Sequence, residues 1–387
     1  MVNLQSAENA LKSFYLDAVK DSIDMKSSPF MAMIEHSNNN VYGKDVKKLI
    51  RTGVYGGVVA GTETGELPKT DSSKYVQLTA TLKNLYGTIE ISDKAIRAAQ
   101  SSEGAFINLL NEEMEGLLRS AKFNFNRMIM GDGSGYVLNF RSVANGTKLN
   151  ANYLGKVEAG MRVIIVDEDG EPLEGGMERM VEFVDRNENT VILSGEAVAD
   201  DLGPGYLQIC NQGDELTGLK ALFEKDNVYG LSKEEYQKIK PIDYVWDDQY
   251  EENMLLFLID MIEERSGSTP NLILCSYGVR RAIVEYYKTM GVALPSVELE
   301  GGFKALSING IPIVADRFCD AGTIYLVNTN DFKLYQLCDW QWMESDDGKI
   351  LHQVPGKPVY NATLVKYAEL LCERPTAQAR ILGVMEK

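Results

Sequence analysis

Histidine is almost missing from this chain of 387 residues, which has only His36 and His352. Catalysis near neutral pH usually recruits that side chain. His36 lies in a polar stretch and His352 beside a Val-Pro-Gly turn. Neither has a cysteine or second histidine nearby in sequence to share a metal. Both read as structural or surface residues. The five cysteines (Cys210, Cys275, Cys319, Cys338, Cys372) are scattered, with no Cys-x-x-Cys pair, and read as reduced thiols of a cytosolically made chain. No phosphate-binding loop is present either. The Gly-Lys pairs at Gly43, Gly155, Gly348 and Gly356 lack both the upstream glycine and the following hydroxyl. The longest apolar stretch, 254–259, ends at Asp260, far short of a membrane span. The first residues have neither the basic start nor the apolar core of a signal peptide, so no secretion is expected and the sequons at Asn145 and Asn361 carry no weight.

Acid, in contrast, is abundant. Asp and Glu number 56 against 39 Lys and Arg, a formal net charge of -17. Such a balance argues against gripping nucleic acid over the whole surface, because phosphate binding is carried by clustered Lys and Arg, but it allows a local basic patch. The excess is concentrated between 157 and 210, where thirteen acidic residues face only Arg162, Arg179 and Arg186. None follow the alternating spacing of a calcium loop, so a solvated module is expected there. The length suggests two or three domains, and a hydrophobic fraction of 44% with 25% charge is that of a folded protein.

The stretch 47–131 is the most informative. It reads as a two-stranded ribbon (47–60, a turn over 61–68, then 74–91) running into a long amphipathic helix. In the returning arm Val76, Leu78, Ala80 and Leu82 alternate with Gln77, Thr79, Thr81 and Lys83, the period of a half-buried strand. A lone hairpin is marginal in water, so its apolar face is expected to need a cover from another chain. The helix should start near Ser101 or Ser102, carry Phe106, Leu109, Leu110, Met114, Leu117, Leu118, Ala121, Phe125, Met128 and Ile129, and stop at Gly131-Asp-Gly133.

Residues 1–46 read as an arm with a short amphipathic helix (Leu4, Ala7, Leu11, Phe14, Tyr15, Ala18), and 157–210 as a small antiparallel β unit inserted in the chain. Beyond Gly213 the texture is mixed. Asp247 and Asp248 should open a helix that ends before Gly267, a strand over 271–275 leads to a helix capped by Ser276, and Asn309-Gly310 signals a hairpin. Strands follow over 323–328, 332–337 and 359–373. The class is α+β. Gly131-Asp-Gly-Ser-Gly135 is better explained as a helix-ending turn than as a nucleophile loop. Trp340 and Trp342, followed by Glu344, Asp346 and Asp347, could stack on a sugar or base, but two aromatics on one face of a strand read first as core.

Four stretches carry a resemblance: Tyr86-Gly-Thr-Ile-Glu-Ile-Ser-Asp-Lys-Ala95, Asn126-Arg-Met-Ile-Met-Gly-Asp-Gly-Ser-Gly135, Gly302-Phe-Lys-Ala-Leu-Ser-Ile-Asn-Gly-Ile-Pro-Ile-Val-Ala-Asp316 and Gln336-Leu-Cys-Asp-Trp-Gln-Trp342. With them, nearly the whole chain resembles the major capsid proteins of tailed bacteriophages, whose fold is shared with herpesvirus capsid floors and encapsulins. The resemblance implies an N-terminal arm (1–46), an extended β-hairpin loop (47–91), a peripheral domain with its spine helix (92–156), an inserted β domain (157–212), an axial domain (213–324) and a return to the peripheral domain (325–387). It implies a non-enzymatic shell subunit in hexamers and pentamers, without cofactor, catalytic residue, metal or membrane.

The expected lattice contact is the ribbon, through Thr62, Glu63, Glu66, Leu67, Pro68, Val76, Leu78 and Leu82. Double-stranded DNA would be packaged without sequence-specific binding, in a virion capsid assembled in the bacterial host cytoplasm. The arm and ribbon begin almost at once, where many members carry a helical scaffolding segment, so a separate scaffolding protein, or a coat helped by its inserted domain, is expected beside a portal and a decoration protein. Lys69, Lys74, Glu63 and Glu66 lie where some members weld their shells by an isopeptide bond, although such residues are common at any exposed tip. The alternatives are an encapsulin-type compartment shell and an enzyme acting on a sugar or nucleotide through the Trp pair and the acidic module.

Overall fold

A computed structural model describes residues 28–53, 58, 60–66, 75–94, 103–173, 176–199, 203–210, 215–299, 304–346 and 348–387, with the side chains of 103–111 excepted. The expected arm helix, Leu67 to Lys74 and the Ser101 and Ser102 caps lie outside these residues.

The ribbon exists but is shorter than its apolar pattern suggests. Strand Asp45–Arg51 pairs antiparallel with Tyr75–Thr81, from Asp45 opposite Thr81 to Arg51 opposite Tyr75. After Leu82 the chain enters a different sheet, and Lys83–Ser92 pairs along Val359–Cys372. The expected single returning arm is therefore two strands serving two sheets. In the second of these sheets Val359–Cys372 is an interior strand, with Phe332–Trp342 and His352–Gln353 paired to it on its other side and Glu35–Ser37 beyond, parallel to Phe332–Trp342.

The helix Glu103–Met130 spans 28 residues. Over its described part, Met114, Phe125, Ile129 and Met130 are buried with Leu85, Ile89, Leu364, Trp340 and Trp342, so that the Trp pair is core. Phe125 meets Trp340 edge to face at 6.0 Å. Gly87 permits this approach, because a Cβ there would sit 2.8 Å from Leu117 Cδ1. The helix ends in the turn anticipated from its glycines: Gly131 N donates to Met128 O at 3.0 Å, Gly133 has φ 80°, and Ser134 N donates to Asp132 Oδ1 at 2.9 Å.

The acidic β unit is a closed barrel of six strands. It starts at Tyr136, ahead of the expected boundary at 157, because Tyr136–Asn145 and Lys148–Ala151 pair with each other and with the later strands. The charge step at 157 marks the solvated surface, not where the sheet begins. Its interior is apolar, with Phe140, Leu149, Val163, Val181, Val191 and Leu207 fully buried.

The mixed region forms a seven-stranded sheet. Its hairpin Lys304–Ile308/Ile311–Ala315 turns at Asn309 and Gly310, φ 50° and 81°, with Ile308 opposite Ile311, as the Asn-Gly pair predicts. Helices Glu252–Ser266 and Tyr277–Thr289 contribute Leu255, Leu258, Ile262, Val279 and Ile283 to its core. Ser276 caps the second helix, its Oγ accepting from Val279 N at 3.3 Å. The first starts at Glu252, not at Asp247, because Asp247 adopts φ 51° and lies against Gly383. A strand made much later, Ala379–Leu382, fills an interior place between Ile242–Val245 and Ile324–Val327.

Candidate assembly surface

The ribbon's burial alternates as its pairing dictates. Val46, Leu78 and Ala80 are buried, with Ile50 and Val76 half-buried beside them, whereas Leu49 and Tyr75 stand 62% and 59% exposed on the opposite face. The expectation that Leu78 and Leu82 wait for another subunit is corrected. Leu78 is 0% and Leu82 7% exposed within the chain itself. The cover is a distant loop: Thr79 N donates to Tyr229 O at 2.9 Å, and Val228 and Tyr229 belong to the same buried cluster.

What the ribbon leaves open is its outer face and its turn. Thr62, Glu63 and Glu66 are exposed in the turn, where Gly65 N donates to Thr62 O at 3.2 Å, and Val58 is 84% exposed. Leu67 and Pro68 lie outside the described residues. Leu49 and Tyr75 were legible only as the opposite parity of the Val76 and Leu78 stripe. A second open apolar patch lies on the barrel, through Met177, Met180 and Phe183, each about half exposed.

Charged side chains, mostly far apart in sequence, fix the three bodies against one another. Arg127 on the long helix grips Glu215 through both guanidinium nitrogens, at 2.9 and 2.5 Å. Lys156, beside the barrel, and Lys220 both reach Asp320 in the turn before strand Ile324–Val327, at 2.6 and 2.9 Å. Burial opposes the charge of Asp320, but the two ammonium groups win and hold its carboxyl at about 2. Arg317 bonds Glu158 at 2.9 Å, and Arg380 bonds both Asp243 and Glu224. Lys366, with no exposed surface, pairs with Asp339 at 2.9 Å. Glu369 is 1% exposed and accepts from Thr217 N at 2.7 Å and Leu370 N at 3.0 Å, and burial pushes its carboxyl up to about 8.

Among the described residues no three His, Cys, Asp or Glu side chains gather as a metal site, and no helix is long and apolar enough to cross a membrane. His36 sits in a strand opposite Leu334, and Ser345 Oγ lies 2.8 Å from His352 Nδ1.

No family model and no curated protein matches the chain. Solved structures do. The subunit in the cyanophage A-1(L) capsid asymmetric unit superposes with a TM-score of 0.55 over 92% of each chain, at 10% identity. This is a phage capsid fold. The capsid of the native GTA particle (TM-score 0.48, 10% identity, 94% and 91% covered) and the holo-SrpI encapsulin complex from Synechococcus elongatus (0.44, 9%, 93% and 89%) are also similar. The fold is reached here with almost no shared sequence.

Proposed function

We propose that the chain is the major capsid protein of a tailed phage, a non-enzymatic subunit that closes into an icosahedral shell of hexamers and pentamers around double-stranded DNA. The observation that carries this reading is the end-to-end superposition on a cyanophage capsid subunit. Support comes from apolar side chains left open on the surface, among them Leu49, Val58 and Tyr75 on the ribbon and Met177, Met180 and Phe183 on the barrel. Burial of such faces on neighbouring copies stabilises closed rings. A scaffolding protein, a portal and a decoration protein are the proposed partners. The ribbon's contact with a neighbour is assigned to its turn (Thr62, Glu63, Glu66, Leu67, Pro68) and outer face, with Val76 at the margin.

Negative-stain microscopy of the purified chain, alone and with a co-expressed scaffold, tests the reading. Closed shells or hexamer sheets are expected, and a protein that stays monomeric at all concentrations would overturn it. An encapsulin-type compartment has the same tile, and the contents of the shell separate the two: nucleic acid for the virion, a protein cargo for the compartment.

A further inference from the structure

A groove of about 700 Å³ opens between the long helix and the mixed sheet. On a chain with a net charge of -17 its lining is basic: Arg119 and Lys122 from the helix, Arg280, Lys304 and Arg317 from the sheet side. Arg317 is held by Glu158 at 2.9 Å and lies over the rings of Phe123 and Phe318, so its charge is fixed at the wall. Arg119, Arg280 and Lys304 are exposed and form no ion pair among the described residues. Asn126 adds a second, independent sign of an absent ligand. It lines the same groove at 4% exposure, and its amide oxygen is buried without a hydrogen-bond partner. A buried amide left unpaired is costly, and rotation about its last bond offers either a donor or an acceptor to an incoming group. The one acid in the lining, Asp316, is 6% exposed and its carboxylate accepts from Phe318 N at 2.8 Å, against the five cations around the groove.

We propose that this groove binds the phosphodiester backbone of a nucleic acid, with Arg119, Arg280 and Lys304 as the phosphate contacts. Guanidinium forks match phosphate oxygens two at a time, and a concave wall concentrates the field of several cations. The inference rests on the shell reading in one respect: a shell brings its wall against the nucleic acid it encloses. A discrete basic groove on an acidic subunit would anchor the backbone at one place per copy without coating the wall with charge.

The test uses the full chain and a short labelled DNA duplex, in a salt titration of the affinity. The triple variant Arg119→Gln/Arg280→Gln/Lys304→Gln should bind at least about tenfold more weakly, with a log-log salt slope shallower by about 3, since each phosphate contact contributes about 0.9. All three positions are exposed, so the fold should persist, and an unchanged melting temperature checks it. Lys240→Gln/Lys357→Gln, exposed cations elsewhere, should leave binding unchanged. Equal weakening in both variants, no weakening in the groove variant, or binding of inorganic phosphate with no gain from the duplex would each overturn the proposal. Shells without duplex binding defeat the groove alone, and duplex binding without shells defeats the shell reading alone.

Discussion

Glu369 shows how a single buried acid sets a pH limit on this chain. Among the described residues its hydrogen bonds come from the backbone amides of Thr217 and Leu370 and not from a cation. Its folded pKa lies near 8 against an ordinary 4.5. The folded state therefore holds the proton more tightly than the unfolded chain. Its stabilising contribution is complete below about pH 4.5 and is lost as pH rises toward 8. Glu369→Gln keeps an acceptor oxygen for both amides and cannot ionise. It is expected to raise the melting temperature at pH 8 to 9 and to flatten the profile between pH 5 and 8, as thermal unfolding across that range would record. A variant with an unchanged profile would place the titration elsewhere. Nothing in the run Tyr367-Ala-Glu-Leu-Leu marks this residue in the sequence, because the loop over 215–218 that seals it is about 150 positions away.

At the scale of elements, the ribbon has two faces with opposite duties. Leu78→Ala, on the inner face, should cost about 2–5 kcal/mol of subunit stability, a core-cavity effect measurable by chemical denaturation. Leu49→Ala with Tyr75→Ala, on the outer face, should cost less than about 0.5 kcal/mol each, while shell yield by microscopy falls sharply. Loss of shells with Leu78→Ala alone, at wild-type stability, would contradict this division.

The alternation of Val76, Leu78 and Ala80 was legible, and so were the Asn309-Gly310 hairpin, the Ser276 cap and the glycine stop of the long helix, because each depends on neighbours in sequence. The ribbon's cover was not, since Tyr229 lies some 150 residues beyond Leu78. The barrel's first two strands were missed for a related reason. Their charge resembles that of the preceding region, and only pairing with Gly205–Ile209 and Thr190–Leu193 makes them part of the barrel. The open residues Leu49 and Tyr75 could have been found by asking which apolar side chains fall off the buried stripe.

Taken whole, the long helix, the five-stranded sheet and the mixed sheet share one apolar core, and ion pairs that respond to acid tie the barrel to it. Asp320 receives Lys156 from beside the barrel and Lys220 from the short helix Leu219–Glu224. Its pKa is lowered from 3.8 to about 2, so its contribution is present above pH 4 and is lost as pH falls toward 2. Hydrogen exchange over 152–160 is expected to accelerate in that window in the wild type. Asp320→Asn should show fast exchange there already at pH 6, with little further change on acidification. Equal protection in both proteins would mean that the barrel is held by Arg317 and Glu158 instead.

The interior places of Val359–Cys372 and Ala379–Leu382 have a consequence in time as well as space. Both the five-stranded and the seven-stranded sheet have a gap at an inner position until residues 359–382 have been synthesised. Pairings this distant in sequence form late and slowly. A nascent chain that has not yet made residues 359–382 therefore has neither sheet complete, and the strand edges that those residues will pair stay open until they arrive.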